Sequence, residues 1–219
     1  MFLNKTLEQI ILTIPAILIG FTLHEYAHAL VADRLGDKTP RSQGRLTLNP
    51  FMHIDIMGFI LILLVGFGWA KPVQTNPSAF KHYYKDDLKV SIAGPIANLI
   101  VAFLATLLFA IITKVFSSTD PSNQLSYTIY RILVYTVQIN CMLFILNLIP
   151  IPGFDGFHIL RDLFPKFFYN IEAPMYKYQL IIFVILAAPI FGQNSILGLI
   201  IGPITNALMG FFSLITKFI

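Results

Sequence analysis

Two histidines and a glutamate lie together in the segment HEYAH at residues 24–28. Residues four apart share one face of a helix, so His24 and His28 can both direct an imidazole at a single cation. This HExxH spacing is typical of helices that bind zinc and use the intervening glutamate, here Glu25, as a general base. The alternative is a group of polar side chains that pair with one another, but ionisable residues are costly in so apolar a segment and mark function there by default. The pattern therefore predicts a metal-dependent hydrolytic site.

A catalytic zinc takes three protein ligands and keeps its fourth position for water, so one more ligand is needed. Asp155 is the candidate, because it follows an apolar segment in the stretch NLIPIPGFDG at residues 147–156. Prolines and glycines keep that stretch from forming regular helix, and such backbone is tolerated at membrane depth only where it is buried or lines a cavity. If this segment is considered without the HExxH motif, the alternative is a turn in which the aspartate is exposed to solvent. His158 is a possible competing ligand, whereas His53 and Asp55 form a pair that we interpret as supporting polar residues.

Composition places the chain in a membrane. Of its 219 residues 56% are hydrophobic and 12% charged, with a mean hydropathy of +0.74, whereas soluble domains carry roughly 25% charged residues. We expect a single membrane-embedded domain over residues 1–219, with a core at 7–160 and C-terminal helices at 176–216. The net charge of +4 comes from basic residues in short loops, where insertion topology explains them, so nucleic-acid binding is not expected.

Five segments are long and apolar enough to cross about 30 Å of hydrocarbon as helices. They are residues 7–32, 88–113, 129–149, 176–193 and 195–216. A sixth apolar segment, 54–69, is short and rich in glycine, so it is either a span or a re-entrant hairpin. Alternating patterns at 45–49 and 71–75 predict short cytoplasmic β-strands. The predicted fold is an all-α polytopic membrane protein with five to six transmembrane helices.

The basic residues are distributed unevenly among the loops. Most of them fall in 33–53, in 70–89 and after residue 160, and these regions share one side if 54–69 is re-entrant. The positive-inside rule makes that side cytoplasmic. The N-terminus is then outside and the C-terminus inside, in a multi-pass protein of the cell membrane whose active site faces the cytoplasm.

The motifs HEYAH and NLIPIPGFDG together match the two signatures of the site-2 protease family, HExxH and NxxPxPxxDG. The chain therefore resembles these intramembrane zinc metalloproteases. Three further motifs resemble those of short bacterial and archaeal members, namely GRLTLNP at 44–50, WAKP at 69–72 and GPIAN at 94–98. The likeness covers roughly residues 20–160, and we expect no inserted PDZ domain in this chain.

The resemblance implies a role for each matching residue. His24, His28 and Asp155 would bind Zn²⁺, and Glu25 would be the general base. Asn98 and Asn147 would orient substrate or bind the oxyanion. An asparagine within a membrane just as often joins two helices by a hydrogen bond, and this is the alternative role.

The implied activity is hydrolysis of peptide bonds within or near transmembrane segments. The expected partners are a transmembrane protein or peptide substrate and membrane lipid. A locally unwound substrate could add to the edge of the predicted strands.

Two other functions compete with this one. An HExxH protease of another type would need a downstream glutamate as a ligand, but the later glutamate Glu172 lies in a predicted loop without a helical partner motif. A metal-binding transporter or an inactive scaffold would keep the ligands yet needs no base between the histidines, so Glu25 argues against both.

Overall fold

The computed structural model describes residues 6–115, 124–189 and 195–216. Over these residues the chain is almost entirely helical, which confirms the all-α class. The helices are α1 (Leu7–Leu35), α2 (Thr39–Ser42), α3 (Ile56–Val65), α4 (Tyr83–Val115), α5 (Gln124–Asn147), α6 (Asp155–Leu163), α7 (Pro165–Ala187) and α8 (Ile196–Thr216).

Four of these helices, α1, α4, α5 and α8, are long and apolar enough to cross a membrane. The chain is therefore a membrane protein, but the prediction of five to six transmembrane helices is not supported. The predicted span at 176–193 begins inside α7, which carries polar side chains such as Glu172, Lys177 and Gln179. These side chains lower the hydropathy of α7, and residues 190–193 of the predicted span lie outside the described residues.

The centre of the bundle is formed by α1, α4 and α5. α1 runs parallel to α5, because Leu12 and Tyr135 belong to one core cluster and Gly20 lies beside Asn140, further along both helices. Small residues permit such close approach between helices in a membrane. A Cβ atom added to Gly20 would lie 3.0 Å from the Asn140 side chain. The two helices therefore end on the same side of the bundle.

α8 runs antiparallel to α5. Leu197, near its start, packs against Ile145 at the end of α5, and Phe212, near its end, packs against Val137 and Cys141. The end of α8 therefore lies on the same side of the bundle as the start of α1. This contradicts the expectation that the two ends of the chain lie on opposite sides, because that expectation counted α7 as a crossing.

The segment between α1 and α4 folds into a hairpin built on α3. A helix of ten residues is about 15 Å long, too short to cross a bilayer. The chain then returns, since Ile54 pairs with Ala70 in an isolated antiparallel bridge and the Lys71 N–H donates to the His53 carbonyl at 2.9 Å. The two arms touch at Gly68, where an added Cβ would lie 2.7 Å from the Ile62 side chain. The segment 54–69 thus starts and ends at one place, as a re-entrant hairpin requires.

The predicted strands at 45–49 and 71–75 are wrong. Within residues 6–115, 124–189 and 195–216 the structure has no strand, only the single bridge just described. Pro72 has no N–H for a ladder, and the other segment runs into Asn49, which caps a short 3₁₀ turn at Pro50–Met52. The two segments are instead joined by the Arg45 side chain, which donates to the Lys71 carbonyl.

Candidate metal centre

The two histidines predicted as ligands lie on the buried face of α1, where α4 packs against it. Their Nε2 atoms are 3.0 Å apart. The other ring nitrogens are already bonded, with His24 Nδ1 at 2.7 Å from the Asn98 side-chain oxygen and His28 Nδ1 at 2.7 Å from the Val90 carbonyl. Hydrogen bonds of this kind fix the ring orientation and the tautomer of metal-binding histidines. Both Nε2 atoms are thereby turned toward the same point.

α4 comes unusually close to these rings at Gly94. A Cβ atom added there would lie 2.6 Å from His24 Cε1 and 2.7 Å from His24 Nε2, and it would also overlap His28. A side chain at this position would therefore occupy the space between the two imidazoles. Sequence reasoning did not assign a role to Gly94, although the resemblance of GPIAN to the family motif pointed to this segment.

Asn98 is fully buried and both of its side-chain polar atoms are bonded within the protein. Its amide donates to the Gly20 carbonyl at 3.0 Å and to the Asn140 side-chain oxygen at 2.9 Å, while its oxygen faces His24. No polar atom of Asn98 is left to bind substrate or an oxyanion. These contacts match the alternative role, a hydrogen bond between helices, and they place the Asn98 oxygen where it can orient His24. Asn140, which sequence reasoning missed, extends this chain of bonds to the Thr136 carbonyl at 2.9 Å.

Asp155, the first residue of α6, faces the histidines. Its two carboxylate oxygens lie 3.2 Å from His24 Nε2 and 3.3 Å from His28 Nε2. The candidate ligand atoms of the three residues all lie within 4.8 Å of one another, and Asp155 Oδ2 is buried without a hydrogen-bond partner. Two imidazole nitrogens and a carboxylate match the donor set of a catalytic zinc site. The three side chains therefore fit a zinc ion.

The backbone before Asp155 turns sharply to deliver it. Gly153 has a φ of +99°, a conformation that favours glycine. Gly156 packs onto the end of α5, where an added Cβ would lie 2.5 Å from the Ile149 carbonyl. The glycines of the motif therefore let α6 fold back toward α1.

α6 is fixed against α4 by a group of buried charges. Arg161 donates to Asp87 of α4 and, at 2.8 Å, to Asp162 beside it. Burial raises the pKa of Asp162 to about 6 even though Arg161 donates to it. This arginine is shared between two carboxylates, and it is the charged link between the helix that carries Asp155 and the helix that supports the histidines.

Glu25 lies beside the metal ligands and faces the part of the hairpin that follows α3, which we call the return arm. Its Oε2 accepts a hydrogen bond from the Val73 N–H at 2.8 Å and lies 3.9 Å from Arg45. The buried Arg45 guanidinium also donates to the Met52 carbonyl at 2.6 Å and to the Lys71 carbonyl. One side chain therefore ties both ends of the hairpin to the glutamate.

Sequence reasoning did not single out Arg45. Burial lowers the pKa of its guanidinium, and the nearby Glu25 carboxylate opposes that shift. The motif GRLTLNP could have pointed to this residue, because Arg45 is its single arginine and directly follows Gly44. In the structure Gly44 has a φ of +68°.

A cavity of about 610 Å³ opens beside Glu25 and His24. Its walls come from α1, the hairpin, α5, the turn before α6, and α7. Among its lining residues are Phe21, Trp69, Asn147, Gln179 and Phe183. Asn147, predicted to contact substrate, thus lies on the cavity wall, and its amide donates to the Leu143 carbonyl at 3.0 Å.

The other candidate ligands lie elsewhere. His158 is exposed on α6, the His53 Nε2 lies 2.7 Å from the Thr47 carbonyl, and Asp55 caps α3 by accepting from the Gly58 N–H at 2.8 Å. In the part of the chain that the structure describes, the one group of histidine, cysteine or acidic side chains that could hold a metal is His24, His28 and Asp155.

Comparison with known proteins identifies the family of this chain. The sequence profile described as "Peptidase family M50" matches residues 111–189. The Bacillus subtilis protein "Putative zinc metalloprotease YwhC" is 36% identical over 209 residues, which cover 94% of this chain and 91% of that protein. The chain belongs to peptidase family M50, the site-2 proteases.

Two more relatives carry the same description, "Putative zinc metalloprotease". "Putative zinc metalloprotease MJ0611" of Methanocaldococcus jannaschii is 30% identical over 164 residues, 72% of this chain and 73% of that protein. "Putative zinc metalloprotease Rip2" of Mycolicibacterium smegmatis is 35% identical over 161 residues, 69% of this chain and 56% of that protein. No solved structure matches the chain. The resemblance found in the motifs is confirmed: this M50 protein is a membrane zinc metalloprotease, and its cofactor is Zn²⁺.

Proposed function

We propose that this M50 protein hydrolyses peptide bonds within or near transmembrane segments of membrane proteins. The observation that supports this most directly is a buried group of two histidines and an aspartate that lies among apolar helices and borders a large cavity. Its partners are then a transmembrane protein or peptide substrate and the surrounding lipid, with no role for nucleic acid.

In this mechanism His24, His28 and Asp155 hold the zinc ion, and Glu25 is the general base. When bound, zinc polarises the scissile carbonyl and makes water nucleophilic near neutral pH. Glu25 accepts the proton of the attacking water and passes it to the leaving amine. The Val73 N–H and Arg45 hold one oxygen of Glu25, which leaves the other for proton transfer.

The substrate arrives as a helix whose peptide bonds are already hydrogen-bonded, so it must unwind before attack. Trp69, Ala70 and Pro72 of the return arm line one wall of the cavity, and Asn147 lies on another. An unwound segment can bind along the return arm through its backbone, although no preformed strand edge exists there. Asn147 would then orient the substrate carbonyl.

The active site would face the cytoplasm. The end of the bundle that carries the metal site also carries most of the described basic residues, as the positive-inside rule requires of a cytoplasmic face. The exposed residues Ser42 and Ser78 lie at that end, whereas the exposed Thr113 lies at the other end, two residues before α4 stops.

Cysteine labelling tests this orientation after Cys141 has been replaced. We expect Ser42→Cys and Ser78→Cys to react with an impermeant thiol reagent only from the cytoplasmic side and Thr113→Cys only from outside. Labelling of Ser42→Cys and Ser78→Cys from opposite faces would show that 54–69 crosses the membrane. Labelling of all three variants from the sides opposite to those expected would show that the protein has the reverse orientation.

A Glu25→Gln variant tests the catalytic proposal. The amide keeps the shape of the side chain but cannot accept the water proton, so cleavage of a single-span substrate in detergent should fall by about 10²- to 10⁴-fold. Zinc content should stay near one per chain. His28→Ala, by contrast, should lose both metal and activity, because two remaining ligands hold zinc poorly.

Glu8→Gln is the matched control, since Glu8 is an exposed glutamate on the same helix, and it should leave cleavage unchanged. If Glu25→Gln cleaves as fast as wild type, Glu25 is not the base. If the zinc-loaded wild-type protein cleaves no membrane segment, a metal-binding transporter or an inactive scaffold becomes the better explanation.

A further inference from the structure

A second, smaller pocket adjoins the catalytic cavity. It has a volume of about 50 Å³ and lies between α1, the hairpin and α5. Five residues line both spaces, so the two lie side by side: Phe21, Phe67, Gly68, Leu143 and Leu146. Nothing in the mechanism proposed above uses this pocket.

The pocket extends from the metal site along one face of α1. Ile17 and Phe21 line it and lie seven and three residues before His24, so they share its helical face. At 1.5 Å per residue they lie about 10 and 5 Å from His24 along the helix axis. An extended peptide advances about 3.3 Å per residue. The pocket is therefore within reach of the side chain next to a peptide bond held at the zinc.

Every side chain that lines the pocket is apolar. Ile17, Ile62, Ile139 and Leu143 are each less than 9% exposed and pack together in one core cluster. These walls are held in place by the contact between the bundle and the hairpin, so they cannot move apart without disturbing it. A charged or amide side chain placed here would lose its hydration without gaining a hydrogen bond from any lining side chain.

The volume limits what the pocket can hold. About 50 Å³ has room for a few water-sized groups, which suits the two methyl groups of valine and excludes an aromatic ring. The hairpin sets this limit, because the Gly68 backbone contacts both Gly58 and the Ile62 side chain.

We infer that this pocket is a substrate subsite that takes a small aliphatic side chain, about the size of valine, from the residue next to the scissile bond. The inference rests on the proposed proteolysis and adds a sequence preference to it. The protease then selects membrane segments that place valine or alanine, and not phenylalanine, at that position.

The test compares cleavage of single-span substrates that differ only beside the scissile bond, which is first located by mass spectrometry. Each flanking position carries valine or phenylalanine, and kcat/KM is measured for each substrate. At one position the wild-type protein should favour valine by about 10- to 200-fold, the range expected for steric discrimination in a hydrophobic pocket.

Ile62→Ala and Met142→Ala each enlarge the pocket from a different wall. In both variants the preference for valine over phenylalanine should shrink by at least tenfold, mainly through faster cleavage of the phenylalanine substrate. Using two variants keeps the test valid if one of them folds poorly. Ile145→Ala is the matched control, because Ile145 is buried in the same helix but does not line the pocket and packs with Leu197 and Ile201 of α8, and the preference of this variant should stay at the wild-type value.

Two results would overturn the inference while leaving the proposed proteolysis intact. One is wild-type cleavage that is indifferent to valine and phenylalanine at both positions. The other is a preference that changes as much in Ile145→Ala as in the pocket variants. Absence of cleavage by the wild-type protein would instead reject the proposed function, and the subsite with it.

Discussion

The two halves of the metal centre are held in different ways. The histidines lie in the middle of a 29-residue helix, and each ring is bonded to α4 through Asn98 or the Val90 carbonyl. Asp155 lies at the start of a nine-residue helix that follows a turn, and one of its oxygens has no hydrogen-bond partner. The histidine half is fixed by hydrogen bonds to uncharged groups of α4, whereas the aspartate half depends on how α6 is docked.

This difference separates two requirements of the site. The histidine half needs a correct ring orientation, which a hydrogen bond inside the bundle supplies. The aspartate half needs a short helix to be placed correctly, which the charged group of Arg161, Asp87 and Asp162 supplies. We therefore expect changes in the two halves to affect zinc binding to different extents and by different routes.

Replacing the aspartate ligand should weaken zinc binding more than removing any residue that supports the ligands. Asp155→Asn removes the one negative charge among the ligands, so zinc affinity should fall by more than the roughly 10- to 100-fold seen when only a supporting residue is lost. Zinc content after dialysis against graded chelator measures this. His158→Ala is the control, three residues along the same helix, and should keep its zinc. A well-folded His158→Ala protein that loses zinc while Asp155→Asn keeps it would show that the third ligand is misassigned.

Removing the support of a histidine should have an intermediate effect. Asn98→Ala takes away the acceptor of His24 and also the donor to Asn140, so zinc affinity should fall by about 10- to 100-fold. Asn147→Ala is the matched control: it should leave zinc affinity unchanged but raise the KM for a membrane substrate. If Asn98→Ala raises KM and keeps full zinc affinity, Asn98 contacts substrate after all.

Loosening the docking of α6 should have the smallest effect on zinc. Asp87→Asn removes one partner of the partly buried Arg161, and we expect a lower melting temperature in detergent together with a decrease in zinc affinity of less than about tenfold. Asp86→Asn is the control, because that neighbouring carboxylate is bonded to Lys89 instead. Asp162→Asn should lower the melting temperature less than Asp87→Asn does. Burial already raises the pKa of Asp162 to about 6, so the fold gains little stability from the charge of this carboxylate. A tenfold or greater loss of zinc in Asp86→Asn would refute this account of the docking.

The donors of the metal centre were visible in the sequence because their arrangement is local. His24 and His28 are related by the period of one helix, and Asp155 is marked by the prolines and glycines around it. The length and glycines of the apolar segment 54–69 are also local properties, and they left a span and a re-entrant hairpin as the two alternatives. The predicted strands failed because an alternating pattern does not show whether a partner strand exists.

The supports of the site were not visible in the same way. Asn98 lies 74 residues from the histidine that it orients, and the pattern of α4 alone gives no reason to choose this role over substrate binding. Arg45 is 26 residues from the carbonyl that it holds. In both cases the partner is defined by how the elements pack and not by a repeat along the chain.

The sequence by itself determined the all-helical membrane class, the family, and the residues that can donate to zinc, because hydropathy and residue spacing are properties of short segments. Only the tertiary structure decided that α8 ends on the side where α1 begins and that Gly94, Asn98 and Arg45 support the site. These features depend on which helix faces lie against each other. That choice is made by the packing of residues distant in the chain, and helical periodicity alone is compatible with several such packings.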